Sequence, residues 1–205
     1  MNDDTFELEL IGMAHGGSAL GRHAGRTVFL PYAIPGERVL ARTVEERGRA
    51  VFAEGVSLLE ASADRIFPQC RHFGPGRCGR CQWQHIDYPA QLLLKQDVLA
   101  DQLARVGGFE DADVRAVIPA PLQWGYNYHM TMTAGEDGIP GFPAASGPGI
   151  IPIDECHVLH PDLLALYETL DLQFDGLRRL TLQRGSDGRL MLIITMADDS
   201  APELE

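Results

Sequence analysis

Apolar and polar residues alternate with a period of two over most of residues 5 to about 60, which predicts strands. FELELIG is one, at residues 6–12, and RTVFLPY, ended by the Pro31 region, is a second. IPGERVLARTVEE opens on a Pro-Gly turn and then alternates, and GRAVFAEGVSLLE is a last strand region in which Gly55 marks a bulge or a barrel corner. HGGSALGRHAG, residues 15–25, reads as a glycine-rich connection. Short strands with glycine corners predict a small closed barrel, OB-like, of the kind that binds oligonucleotides.

The period changes after residue 86. Residues 87–108 predict a helix, with Asp87 at its start, Pro89 in its first turn and Gly107-Gly108 at its end. Leu92, Leu99, Leu103 and Val106 recur at near-helical spacing and are expected to form its core face, packing the preceding loop against a sheet. Beyond it, VRAVIPAPLQWGYNYHMTMTAG gives two strand candidates, GFPAASGPGIIPIDEC a loop leading to a short strand, and HPDLLALYETLDL a second helix. LRRLTLQRG and GRLMLIITMA form a hairpin through Ser186-Asp187-Gly188, and the tail DDSAPELE is expected to fray. The organisation predicted is an all-β barrel over 1–60, a loop and helix over 61–108, and an α+β region over 109–205.

The loop holds the chemistry. CRHFGPGRCGRCQWQH, residues 70–85, contains three of the four cysteines, Cys70, Cys78 and Cys81, and Cys156 is the fourth. A C-x2-C pair in a glycine-rich loop suits metal or cluster ligation or redox exchange. Disulfides fit less well, because disulfide scaffolds are short, cysteine-dense and exported. The N-terminus MNDDTFELEL is acidic and is no signal peptide, and no run of 18 apolar residues exists. A cytoplasmic address follows as the expectation, with no membrane partner.

The net charge of −12 tells against a uniformly nucleic-acid-binding surface. Its distribution softens that. Residues 1–60 carry nine acids and six arginines, 61–120 seven acids and seven bases, and 121–205 thirteen acids and four bases. A basic face is therefore compatible with the first 115 residues. No G-x-G-x-x-G follows a strand here, so no dinucleotide or cofactor loop is proposed.

These segments together resemble the N-terminal half of bacterial RNA uracil-C5 methyltransferases, enzymes that modify ribosomal and transfer RNA with S-adenosylmethionine. GMAHGGSALGRHAGRTVFLPYAIPGERVLARTVEERGRAVFAEG looks like the TRAM domain, the family's RNA-binding module. SADRIFPQCRHF and CGRCQWQHIDYPAQLLLKQ are similar to its cluster signature, and GFPAASGPGIIPIDEC to the approach to its last cluster cysteine. WGYNYHM resembles a Trp-x-Tyr-Arg-Asn segment, with Asn127 and Tyr128 replacing the arginine and asparagine. The resemblance implies a [4Fe-4S] cluster on Cys70, Cys78, Cys81 and Cys156, with zinc on the same four thiols as the alternative. It also implies that S-adenosylmethionine and the catalytic residues belong to a Rossmann-like domain that follows in the family and has no counterpart in these 205 residues. The chain alone is expected to be inactive, either as a truncated product or as the partner of a separate catalytic chain.

Several residues follow from this reading. Arg22, Arg26, Arg42 and Arg49 on the barrel, with His85, are the candidate RNA contacts; DNA is not expected as a partner. His85 reads equally as a cap at the start of the helix, and His15 and His23 as residues of a solvated turn. Phe29 and Phe52 suit either base stacking or the barrel core. Trp83, Trp124 and Tyr126 read as packing residues. Cys156 beside His157 forms a poor nucleophile pair, since neighbours in a strand face opposite ways. Two other readings stay open: a stand-alone RNA-binding iron-sulfur protein without activity, and a zinc-stabilised protein-interaction module.

Overall fold

The computed structural model describes residues 5–170 and 176–198. The chain forms two compact units, residues 1–68 with 82–119, and residues 69–81 with 120–205. This division cuts through the segment 61–108: the cysteine loop joins the second unit and the helix joins the first.

In the first unit, β1 (Thr5–Met13), β2 (Ala19–His23), β3 (Arg26–Leu30), β4 (Arg38–Arg47) and β5 (Ala50–Glu60) close a barrel in the order β1-β2-β3-β5-β4. Only β3 and β5 run parallel. The barrel confirms the expected architecture, but the expected 15–25 connection contains strand β2. Its inward positions are Ala19 and Gly21, which blur the alternation that reveals a strand. Gly21 has a reason to be glycine: a Cβ there would lie 2.6 Å from the Glu9 carbonyl oxygen and from Leu8 Cδ1.

Leu8, Leu10, Val28, Leu30, Val39 and Val51 fill the interior. Bulges tighten the closure. The register slips between Leu10 and Gly12 on β1, and Ile11 turns outward. On β5 Gly55 pairs with Ala41 while Ser57 pairs with Leu40, so Val56 is the extra residue and faces solvent. Gly55 thus lies beside the bulge expected there.

A buried ion pair locks the β3–β4 connection. Glu37 is fully buried. Its carboxylate accepts from Arg65 Nε and Nη2 and from the Ile34 and Ser62 N–H groups. Burial alone would raise its pKa; the Arg65 hydrogen bond and charge, with the two backbone donors, outweigh burial and hold it below 4.5.

Helix α1 (Tyr88–Arg105) begins at Asp87, as expected, though the Asp87 side chain makes no capping bond. It ends where Val106 and Gly107 N–H groups both bond the Gln102 carbonyl and Gly108 adopts φ +72°. Its buried stripe is Ala90, Leu94 and Val98, packed on the barrel core. The expected core face is wrong: Leu99 is 50% and Val106 77% exposed. Small Ala90 allows close approach at the first turn, and positions four and eight residues on share its face. Leu92 and Leu99 fall on another side of the helix.

The second unit is a five-stranded antiparallel sheet with one helix. β6 (His129–Ala134), β7 (Pro140–Pro143), β8 (Ile150–Pro152), β9 (Leu177–Arg184) and β10 (Leu190–Met196) are ordered β10-β9-β6-β7-β8. The hairpin between β9 and β10 is as predicted, with Gly188 at φ +83° and Asp187 Oδ1 accepting from the Arg189 N–H. Of the two strands expected over 114–135, only β6 forms; β7 arises in the segment read as loop. Gly141 is required in β7, because a Cβ would lie 2.1 Å from the Ile151 carbonyl oxygen. Helix α2 (Pro161–Glu168) is capped by His160, whose Nδ1 accepts from the Asp162 N–H. Met130, Met132, Phe142, Leu163, Leu180 and Leu182 form the core. The end of the predicted second helix, residues 171 and 172, and most of the tail, 199–205, lie outside the described residues. Among the described residues no doubly wound parallel sheet is present, and no helix is long and apolar enough to cross a membrane.

Candidate functional site

The four cysteines all belong to the second unit. The loop that carries three of them is tied to β7. Cys78 bridges Ala144, the Gly79 N–H donates to the Pro143 carbonyl, and the Ala145 N–H donates to the Arg77 carbonyl. Gly79 permits this closeness: a Cβ would meet the Ala144–Ala145 backbone at 3.1–3.2 Å. Within the loop the Phe73 N–H bonds the Cys70 carbonyl and the Cys78 N–H bonds the His72 carbonyl.

Cys156 comes from the turn after β8. Tyr167 holds that segment, its hydroxyl donating to the Ile153 carbonyl at 2.6 Å. Charges bring the two segments together. Arg71 pairs with Asp154 at 3.1 Å and its N–H donates to Glu155 Oε1, while His72 Nε2 lies 2.5 Å from Asp154 Oδ1. Asp154 and Glu155 directly precede Cys156, so this clamp fixes the fourth thiol opposite the loop. Nothing in the spacing of Arg71 and His72 announced it; the acids beside Cys156 were the available signal.

Cys70, Cys78 and Cys156 have raised pKa values, Cys156 to about 11. Burial is the leading cause in each. Cys70 and Cys156 also feel the charge of Cys81, Cys70 that of Cys78, and Cys156 that of Cys70. Tyr126, read as a packing residue, has a raised pKa from burial and from the charges of Cys81 and Cys156. The loop and the segment before Cys156 thus lie together despite their separation in sequence. All four are free and partly buried, so no disulfide is formed. Among the described residues no group of three or more His, Cys, Asp or Glu side chains is drawn together tightly enough to grip a single metal ion. Four cysteines are nonetheless a donor set that zinc and iron–sulfur clusters use.

On the barrel, Arg22 and Arg49 are exposed. Arg26 pairs with Glu46 at 2.7 Å and donates to the Gly48 carbonyl. Arg42 pairs with Glu54 across β4 and β5. Arg22 and Arg26 lie near the start of β5: Thr27 pairs with Arg22, and its N–H donates to the Arg49 carbonyl. Arg42 stands apart, opposite Thr5 and Glu54. His85 is 2% exposed, within the first unit beside Tyr32. Burial and the Arg65 charge depress its pKa to about 4, against opposing effects of Ala33 and Glu37. A neutral ring at that depth cannot reach a phosphate, and His85 is withdrawn as an RNA contact. Its role is in the core.

The fold defines a class: a closed β-barrel followed by an α+β unit, the latter carrying all four cysteines. No family model matches the chain. It is 35% identical over 176 residues to an uncharacterized RNA methyltransferase of Streptomyces avermitilis, covering 80% of this chain and 41% of that protein. It is 34% identical over 165 residues to a 23S rRNA (uracil(1939)-C(5))-methyltransferase of Alkalilimnicola ehrlichii, covering 77% of this chain and 36% of that one. In fold it is similar to the tRNA (uracil-54, C5)-methyltransferase of Pyrococcus abyssi, with a TM-score of 0.59 at 20% identity, over 96% of this chain and 47% of the other. The similarities link the chain, at the level of the family, to the RNA (uracil-C5) methyltransferases. The chain spans less than half the length of these relatives.

Proposed function

We propose that the chain is the RNA-binding and [4Fe-4S]-bearing N-terminal portion of an S-adenosylmethionine-dependent RNA (uracil-C5) methyltransferase. The observation that supports the cluster reading is that the cysteine loop and the segment leading to Cys156 belong to one unit and are tied by Arg71 and His72 to Asp154 and Glu155. Cys70, Cys78, Cys81 and Cys156 would hold it. Bound there, a cubane supplies four iron–thiolate bonds and a positive core that lets the thiols ionise. A single zinc ion would need all four sulfurs about 3.8 Å apart, from Zn–S bonds of about 2.3 Å. A cubane accepts separations of about 6 to 7 Å. The protein's part is to present the thiols: β7 anchors the loop, and the Arg71–Asp154–Glu155 clamp anchors Cys156. The guest would in turn stabilise the second unit, since ligand-binding free energy is partly folding free energy.

RNA binding is assigned to the barrel, through Arg22, Arg26, Arg42 and Arg49, with phosphate as the first target. Ribosomal or transfer RNA is the partner. The described residues supply no cofactor loop and all four thiols are committed to the cluster, so methyl transfer is not performed by these 205 residues. Anaerobic purification with iron, zinc and acid-labile sulfide assays tests the first claim. About four irons and four sulfides per chain are expected; one zinc without sulfide would replace the cluster by the zinc-stabilised module. Methyl incorporation into RNA by the purified chain would overturn the assignment of catalysis elsewhere.

A further inference from the structure

Phe29 on β3 and Phe52 on β5 are register partners in the parallel pair. Their flanking residues Val28, Leu30, Val51 and Ala53 are buried inside the barrel. Alternation therefore turns both phenylalanines outward. Neither belongs to the core cluster nor to the side chains packed on it. The two rings stack on each other, with centroids 5.3 Å apart and an interplanar angle of 19°. The Arg47 guanidinium lies 5.3 Å from the Phe52 centroid, and Glu45 orients it through hydrogen bonds of 2.6 and 2.9 Å.

One register step along the same outer face lies a different row. Arg22 pairs with Thr27, Thr27 with Ala50, and Ala50 with Arg47. Two small residues at the middle are flanked by two arginines, three strand spacings apart, or about 14 Å. The surface is thus a low floor over Thr27 and Ala50, bounded on one side by the aromatic pair and at its ends by cations. Arg49, exposed in the turn before Ala50, adds a third positive charge; Glu45 is paired with Arg47, and Glu54, two residues beyond Phe52 on β5, is paired with Arg42. Both rings are partly exposed, and the barrel's interior cluster is filled without them.

We propose that Phe29 and Phe52, with Arg47, form a stacking platform for an unpaired nucleobase of single-stranded or looped RNA, while Arg22 and Arg47 bracket the phosphates on either side of it. Bases present a π-face to an aromatic whatever their identity, and the guanidinium adds a cation–π contact. A duplex hides those faces, so the platform selects unpaired segments. The inference rests on the RNA-binding reading above and adds to it which face is used and which form of RNA it takes.

The test is a filter-binding titration of the 205-residue chain with a uridine-rich ten-nucleotide RNA and with a blunt RNA duplex. Both are measured at several salt concentrations. Phe52→Ala and Phe29→Ala are each expected to weaken single-strand binding about tenfold, a typical loss of one stacked base, with the salt slope unchanged and duplex binding unaffected. Phe52→Leu keeps an apolar side chain on the surface and should lose nearly as much, whereas Phe52→Trp should retain affinity. Arg22→Ala should lower the salt slope by about one. Unfolding midpoints of the phenylalanine variants matching the parent exclude a folding defect. Parent-like affinity in Phe52→Leu or in both alanine variants would overturn the platform while leaving arginine-based RNA binding intact. Absence of any binding by the parent chain at low salt would instead remove the RNA reading itself, and the platform with it.

Discussion

The two units hold themselves together by different means. In the first, fourteen of the described residues form one buried apolar cluster, drawn from the barrel interior with Ile86 and Ala90 of the helix segment, and Glu37 and Arg65 lock a loop across it. In the second, the cluster of buried apolar residues numbers eight among the described residues, and Cys78 and Cys156 pack against it as part of its wall. Closure leaves the barrel no free strand edge, whereas the sheet of the second unit is open at β10 and β8. The first unit's core is completed by α1, whose Ala90, Leu94 and Val98 pack on it. In the second unit two cysteines form part of the core's wall, and on the proposed reading a bound cluster would add to that unit's stability.

The comparison breaks most sharply at a cysteine. Cys156→Ala removes a packing residue and, on the proposed reading, a cluster ligand. Amide hydrogen exchange should show the second unit losing on the order of several kcal/mol of protection, while β1–β5 exchange as before. The same variant made in metal-depleted protein should cost much less. Uniform loss across both units would contradict the division drawn here.

Breaking the Glu37–Arg65 pair should have the next largest effect, and in the other unit. Glu37→Gln keeps the shape but leaves Arg65 without its counter-charge in a partly buried site. About 3 kcal/mol is the usual scale for removing one partner of a buried pair. The loss should appear in barrel amides and spare β6–β10. Arg65→Met, combined with Glu37→Gln, should recover part of it, as the uncompensated charge is then gone.

Acid should separate the units without any mutation. His85 has a pKa of about 4 in the fold, below its ordinary 6.5. The unfolded chain therefore binds the extra proton first. Stability from this group is complete above pH 6.5 and is lost as pH falls toward 4, up to about 3 kcal/mol for a shift of this size. Glu37 acts in the same direction lower down: its stabilisation is present above the ordinary carboxylate value of 4.5 and disappears as pH falls through its depressed folded value. Thermal melts between pH 7 and 4 should show the barrel weakening. His85→Phe should flatten the slope between 6.5 and 4 if the fold accepts the ring. An unchanged slope in that variant would mean that another group titrates.

Much of this was legible in the residues, and what was not has physical causes. The barrel strands with large inward residues announced themselves; β2 did not, because Ala19 and Gly21 occupy the inward positions where Leu8 crowds the wall. The helix was visible but its buried face was not. Leucine content favoured the 92–99–103–106 stripe, while approach distance favoured small Ala90 and the positions above it. The four cysteines could be grouped from their chemistry, yet the clamp from Arg71 and His72 to the acids before Cys156 depends on tertiary placement alone. His85 and Glu37 are polar residues with no sequence sign of burial, and each needed the fold to show its depth.

The smallest effect expected is at Tyr167, and it sharpens the comparison at the level of one hydrogen bond. Its hydroxyl reaches back from α2 to the Ile153 carbonyl, three residues before Cys156. Tyr167→Phe keeps the ring in the core and removes only the donor. A single intramolecular hydrogen bond contributes about 1 kcal/mol net. If the bond serves the fold alone, the variant should lose that amount and bind metal as the parent does. The segment it holds also presents Cys156, so a looser tether should release iron faster to a chelator, with the barrel unaffected. Iron-release rates and melting midpoints measured on the same samples distinguish these outcomes. Faster release at a cost near 1 kcal/mol ties the hydroxyl to the thiol site; an unchanged release rate confines it to packing.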